Sequence, residues 1–177
     1  MPSKAIVTKV GNNAEMKTGR GSPWATALRI LTRRDHSQAE LRKRLSDKGF
    51  DAEQIETTLQ RCLDLGYLDD ARYALNRAAS LMNQGRAVGH RVLADLRQRG
   101  VSDELAEQAL AAAREGYDEE TLLADLLARR FPGFSYDTAP AGEKRRVVNF
   151  LQRRGFETGR ILDHLIRKGS ATDNENR

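Results

Sequence analysis

The sequence predicts an all-α fold of three tandem three-helix repeats forming an elongated, curved molecule. Three observations predict it. Apolar spacing through the interior is helical, with no sustained strand-like alternation. The chain matches itself around three glycines. No proline falls inside any helix that the periodicity defines. The self-match carries the most weight. Leu45, Gly49, Phe50, Ile55 and Leu59 are answered in register by Leu96, Gly100, Val101, Ala106 and Leu110. Leu151, Gly155, Phe156, Ile161 and Leu165 form the third copy. Counted from the glycine, the offsets −4, +1, +6 and +10 agree in all three copies. Leu41, Val92 and Val147 share −8, and Lys48, Arg99 and Arg154 share −1.

In chain order, residues 1–23 lack an amphipathic period and carry Gly11, Gly19, Gly21, Pro2 and Pro23. Lys4, Lys9, Lys17 and Arg20 against Glu15 make them a basic arm of net charge +3, expected to be mobile. Repeat one follows over 26–67, with a first helix from Trp24 to Arg34. Ser37 and Glu40 have capping-box spacing and start its middle helix. Gly49 suits the left-handed position that ends that helix, with Phe50 closing over the end. Asp51 and Gln54 then start the third helix. Repeat two covers 69–115: Asp69 caps a helix over 70–84, Gly100 ends the middle helix, and Ser102 caps the next. Repeat three covers 118–168, with Asp118 capping a helix over 119–130. A long connection, from Phe131-Pro132-Gly133-Phe134 to Pro140-Ala141-Gly142, interrupts it. Residues 170–177 hold one apolar side chain, Ala171, and are expected to fray as a flexible tail.

Composition narrows the function classes. The 177 residues include 30 Lys+Arg and 25 Asp+Glu, a net charge of +5, with 39% hydrophobic residues and a mean hydropathy of −0.65. A modest core under a heavily charged surface follows. The single cysteine, Cys62, forbids an internal disulfide or a thiolate cluster; beside Leu59 and Leu63 it reads as a small buried hydrophobe. His36, His90 and His164 are too scattered for a zinc site. No apolar run approaches the ~18 residues of a bilayer span, and Ala5-Ile6-Val7 falls far short of a signal-peptide core. A soluble cytoplasmic protein without cofactor is expected. Asp69 and Asp70 are paired carboxylates, but at a helix start they read as caps rather than acid–base groups. Gly85 and Gly89 are not followed by the Gly-Lys-Ser/Thr of a phosphate loop. No catalytic constellation is found.

A three-helix unit with a glycine turn invites a helix-turn-helix reading, in which the last helix enters the major groove. The charges oppose that. Asp51, Glu53, Glu56 and Asp64 against Arg61 give the third helix of repeat one −3. Asp103, Glu104 and Glu107 against Arg114 give that of repeat two −2, and that of repeat three is +1. The middle helices run the other way, at +2, +3 and +4. They suggest a basic stripe suited to a phosphate backbone or an acidic protein groove. Candidate contact residues are Arg42, Lys43, Arg91, Arg97, Arg129, Arg130, Lys144, Arg145, Arg146 and Arg153. Lys48, Arg99 and Arg154 read differently, as cations offsetting a helix dipole in the last turn. Phe134 and Tyr136 could stack on bases, although such residues more often pack a loop onto its own domain.

Together these residues resemble the RecX regulatory proteins. Leu31, Arg34, His36, Ser37, Glu40, Leu41, Leu45, Lys48, Gly49 and Phe50 look like that family's opening. Gly66-Tyr67-Leu68-Asp69-Asp70-Ala71-Arg72-Tyr73-Ala74 looks like its most recognisable segment, with Tyr73 where phenylalanine is commoner. Gly89, Leu96, Arg99, Gly100, Ala109, Leu151, Gly155, Phe156 and Ile161 continue the likeness, with Val101 for a commoner isoleucine. The likeness covers about residues 26–168. It implies a monomeric, non-enzymatic modulator that lies in the groove of the RecA–DNA filament. The expected effect is inhibition of ATP hydrolysis, strand exchange and co-protease activity. Some members also bind single- or double-stranded DNA directly. A general DNA-binding protein with a basic helical stripe remains the alternative.

Overall fold

The computed structural model describes residues 21–174, with side chains through Arg167; most of the basic arm lies outside the described residues. The described residues form nine helices and no strand. The first trio is α1 (Pro23–Leu31), α2 (Gln38–Ser46) and α3 (Ala52–Asp64). The second is α4 (Asp70–Asn83), α5 (His90–Gln98) and α6 (Asp103–Arg114). The third is α7 (Glu119–Arg130), α8 (Ala141–Gln152) and α9 (Thr158–Asn174).

Helix ends follow local chemistry. Ser22, Ser37, Asp51, Asp69, Ser102 and Asp118 each accept a first-turn amide through the side chain, filling an orphan donor. Asp51 and Gln54 close a full capping box. The Ser37–Glu40 pair closes only half of one, because the Glu40 carboxylate is drawn elsewhere. The first helix starts one residue earlier than expected. Pro23 belongs to α1, where a missing N–H at the first helical position costs nothing. α9 runs on to Asn174, into the segment expected as a tail.

The three repeat glycines adopt left-handed conformations, with φ of 81° at Gly49, 75° at Gly100 and 100° at Gly155. The next amide reaches back to the carbonyl five residues earlier: Phe50 to Leu45 (3.4 Å), Val101 to Leu96 (3.1 Å) and Phe156 to Leu151 (3.3 Å). This is the six-to-one bond of a Schellman ending.

The apolar repeat positions build two cores rather than three. Ala27, Ile30, Leu41, Leu45, Ile55, Leu59, Cys62 and Leu68 form the first. The second is continuous from Tyr73 to Leu165 and is shared by the later two trios. Phe131, Phe134 and Tyr136 of the long connection pack against it.

The trios join through repeat-equivalent residues. Ser37 Oγ donates to the Arg99 carbonyl at 2.5 Å, and Val88 N–H donates to the Arg154 carbonyl at 2.7 Å. Ser37 and Val88 occupy the same place in successive repeats, as do Arg99 and Arg154. The turn glycines sit in the same joints. A Cβ on Gly100 would collide with Ala39 Cβ, and one on Gly155 with the Val88 carbonyl. Glycine there serves both the turn and the close approach of the preceding trio.

Candidate partner-binding surface

Charge on the middle helices is settled by what each cation meets in three dimensions. In the first two trios part of it is neutralised within the trio. Arg42 forms a two-pronged pair with Glu56 of α3 at 2.7 and 3.0 Å, and Lys43 pairs with Asp47 at 3.1 Å. Arg97 lies 2.6 Å from Asp103 and 3.8 Å from Glu107, both on α6. The acidic third helices are therefore partners of the basic middle helices. The charge split of the sequence is in part a packing device.

Arg99 and Arg154 do more than face a helix dipole. The Arg99 guanidinium bridges Asp95 (2.8 Å) of its own helix and Glu40 (2.7 Å) of the preceding trio. Arg34 (3.0 Å) and the Tyr73 hydroxyl (3.2 Å) complete the Glu40 environment. Burial works against the Glu40 charge, yet the Arg34 hydrogen bonds and the nearby Arg99 hold its carboxyl below the ordinary value. Asp95 is held down likewise by Arg77 and Arg99 against its burial. Asp70 behaves oppositely. It accepts from Gln38 N–H at 2.8 Å, but burial pushes its pKa up.

In the third trio Arg160 and Arg167 of α9 pair with Glu119, Glu157 and Glu120, but several cations of α7, α8 and the turn after α8 are held by rings and carbonyls. Lys144 Nζ lies 4.9 Å from the Tyr136 ring centre, and the Arg146 guanidinium 5.9 Å from that of Phe131. Phe131 meets Phe150 edge-on at 5.1 Å. Arg154 stacks 3.6 Å over Phe150, and its Nε donates to the Gly85 carbonyl at 2.9 Å. Arg129 Nε donates to the Asp125 carbonyl at 3.3 Å. Burial lowers the Arg154 pKa, and the neighbouring Arg130 and Arg153 lower it further. Arg130 and Arg153 thus each act on the Arg154 guanidinium as like charges. Cation–π contacts fix a cation without cancelling its charge. Arg129, Arg130, Lys144, Arg145, Arg146 and Arg153 therefore remain uncompensated, with no carboxylate partner among the described residues.

The expected contact residues accordingly divide. Arg129, Arg130, Lys144, Arg145, Arg146 and Arg153 gather on α7, α8 and the turn after α8. Arg91 lies at the second joint, its Cβ and Cγ beside Gly155. Arg42, Lys43 and Arg97 are tied up in ion pairs, so the middle-helix charge is not evenly available along the molecule. Summing charge helix by helix missed this because their partners lie on the next helix or turn. The aromatic supports Phe131 and Tyr136 were legible as residues, but their partners on α8 were not.

Cys62 is fully buried. His36 is buried with Nδ1 2.9 Å from the Arg34 carbonyl, and burial lowers its pKa. His164 is buried with Nδ1 2.6 Å from Glu120. A cleft of about 540 Å³ at the second joint mixes His90, Arg114 and Arg160 with Asp118, Glu119 and Glu157. Among the described residues no group of His, Cys, Asp and Glu could hold a metal ion. No described helix is long and apolar enough to cross a membrane.

Comparison with known proteins agrees with this architecture. Residues 24–62 match the family description of the first RecX three-helix domain, and residues 69–110 that of the second. The chain is 43% identical over 146 residues to the regulatory protein RecX of Syntrophotalea carbinolica, covering 82% of this chain and 95% of that one. It is 39% identical over 147 residues to that of Trichlorobacter lovleyi, covering 81% and 96%. The crystal structure of RecX from Lactobacillus salivarius superposes with a TM-score of 0.63 at 22% identity, over 84% of this chain and 95% of that one.

Proposed function

The chain belongs to the RecX family of regulatory proteins, and from that membership and its uncompensated cations we propose that it restrains the RecA recombinase by binding the recombinase–DNA filament. Bound along the filament groove, it inhibits ATP hydrolysis and with it strand exchange and co-protease activity. It acts as a cytoplasmic monomer and needs no cofactor. Repeats 26–67, 69–115 and 118–168 are its three structural units.

The observation that carries this reading is the set of cations on α7, α8 and the turn after α8 that have no carboxylate partner among the described residues, with Lys144, Arg146 and Arg154 held by aromatic rings instead. Such cations keep their charge for an acidic protein surface or for phosphate. Glu56, Asp103 and Glu107, by contrast, are engaged with their own middle helices. Contact is thereby biased toward α7 and α8.

Recombinase ATPase on single-stranded DNA, titrated with this protein at two DNA concentrations, tests the reading. Inhibition set by the ratio of this protein to recombinase, and unchanged by extra DNA, is expected. Inhibition relieved in proportion to added DNA would instead mark a general DNA-binding protein.

A further inference from the structure

The face that makes each joint is used twice within the molecule. At the first joint the Arg99 turn receives the start of α2: Ser37 donates to the Arg99 carbonyl, and Glu40 places its carboxylate on the Arg99 guanidinium. Ser80 and Arg99 line a small cleft there together with Arg34 and Asp35 of the preceding trio. At the second joint the Arg154 turn receives Val88 and the Gly85 carbonyl in the equivalent manner.

In the first trio the equivalent face belongs to the Lys48–Gly49 turn, and no earlier trio precedes it among the described residues. It opens as a trough of about 900 Å³. Arg29 and Arg33 on or just after α1, and Arg44 and Lys48 on or just after α2, line its walls. Arg34 joins them, Asp47 is the one acid, and buried Ile30 and His36 also contribute to the lining. Arg29, Arg33 and Arg44 are exposed and form no ion pair among the described residues. Arg44 stands where the second trio has Asp95, and Arg29 where it has Ser80. The face has kept the joint's position and exchanged its own acid for a cation.

We propose that this trough is an open joint that seats the acid-rich first turn of a helix from another protein, in the manner in which the Arg99 turn seats Glu40. Charge complementarity selects that occupant. Residues 1–20 of the chain carry a net +3 and are mismatched to it. An acidic helix start presents a capping hydroxyl and carboxylates together, the pair of groups the internal joint uses. The site goes beyond the filament reading, which rests on the third trio, and its test uses no recombinase.

The test follows arginine Nε–Hε signals of the full-length, nitrogen-15-labelled protein by NMR. One probe is an acetylated peptide with the sequence Val101–Arg114, an acidic helix start with Ser102 as cap, Asp103 and Glu104 in the first turn and Glu107 in the second; these are the peptide's three acids. The second is the same peptide with those three acids changed to glutamine, and the third a dodecathymidylate. Saturable shifts of Arg29, Arg33 and Arg44 by the acidic peptide are expected, at concentrations at least tenfold below those the glutamine peptide needs. The triple variant R29Q/R33Q/R44Q, confined to exposed side chains, should abolish the saturation while leaving the amide spectrum folded. Shifts by the oligonucleotide equal to or exceeding those by the acidic peptide would overturn the proposal in favour of phosphate. Absence of shifts with the acidic peptide would overturn it outright.

Discussion

Glu40 is the side chain on which most of the first joint converges. It meets Arg34, Arg99 and Tyr73, and its side chain is only 16% exposed. Removing its charge strands Arg99, which is 27% exposed, with Asp95 alone. Glu40→Gln should therefore cost about 1–3 kcal/mol at pH 7, read as a lower urea midpoint at unchanged slope. The pH dependence has a definite sign. A carboxyl with a folded pKa below its unfolded value stabilises fully above the unfolded value, and that contribution is lost as pH falls through the folded one. Glu40 and Asp95 both belong to this class, so stability should fall as pH drops below their ordinary values of 4.5 and 3.8. The Glu40→Gln protein should lose less over that acid range than wild type. Asp70 has the opposite shift, and the amide oxygen of asparagine can still accept from Gln38 N–H. Asp70→Asn should change stability at pH 7 by no more than about 0.5 kcal/mol. A loss as large as that of Glu40→Gln would show the Asp70 charge to be structural.

At the scale of elements, the turn glycines separate local from joint effects. Gly66 and Gly100 have similar φ, 71° and 75°, but a Cβ on Gly66 meets nothing while one on Gly100 meets Ala39. Alanine at either site carries the left-handed penalty of about 1 kcal/mol. Gly100→Ala should cost at least about 1 kcal/mol more than Gly66→Ala, because it also pushes α2 off the joint. Equal costs in denaturant melts would mean the joint yields freely. The elements themselves were legible in the sequence. Glycines, caps and the apolar period act over a turn or two, so α2, α3, α5 and α6 can be read from neighbouring residues. The joints were not legible, because Ser37 and Arg99 lie 62 residues apart, and Arg154 and Gly85 lie 69 apart. Nor was the pairing of Arg42 with Glu56, which converts a seemingly basic helix into half of a neutral pair.

Across the whole molecule, pairing decides where positive charge is available. The first two trios spend much of theirs on acids of their own, and the third keeps Arg130, Arg145 and Arg153 exposed and uncompensated. Surface ion pairs of the Arg42–Glu56 kind contribute about 0.2–1 kcal/mol, so reversing those cations perturbs the fold only mildly. They form the proper control for the third trio. The decisive measurement is recombinase-filament affinity across a salt series for wild type, R130E/R145E/R153E and R42E/K43E/R97E. If the third trio carries the contact, the first variant binds at least tenfold more weakly with a flatter dependence on salt, while the second stays within about threefold of wild type with its slope preserved. Equal losses in both variants, or none in R130E/R145E/R153E, would contradict that placement of the contact.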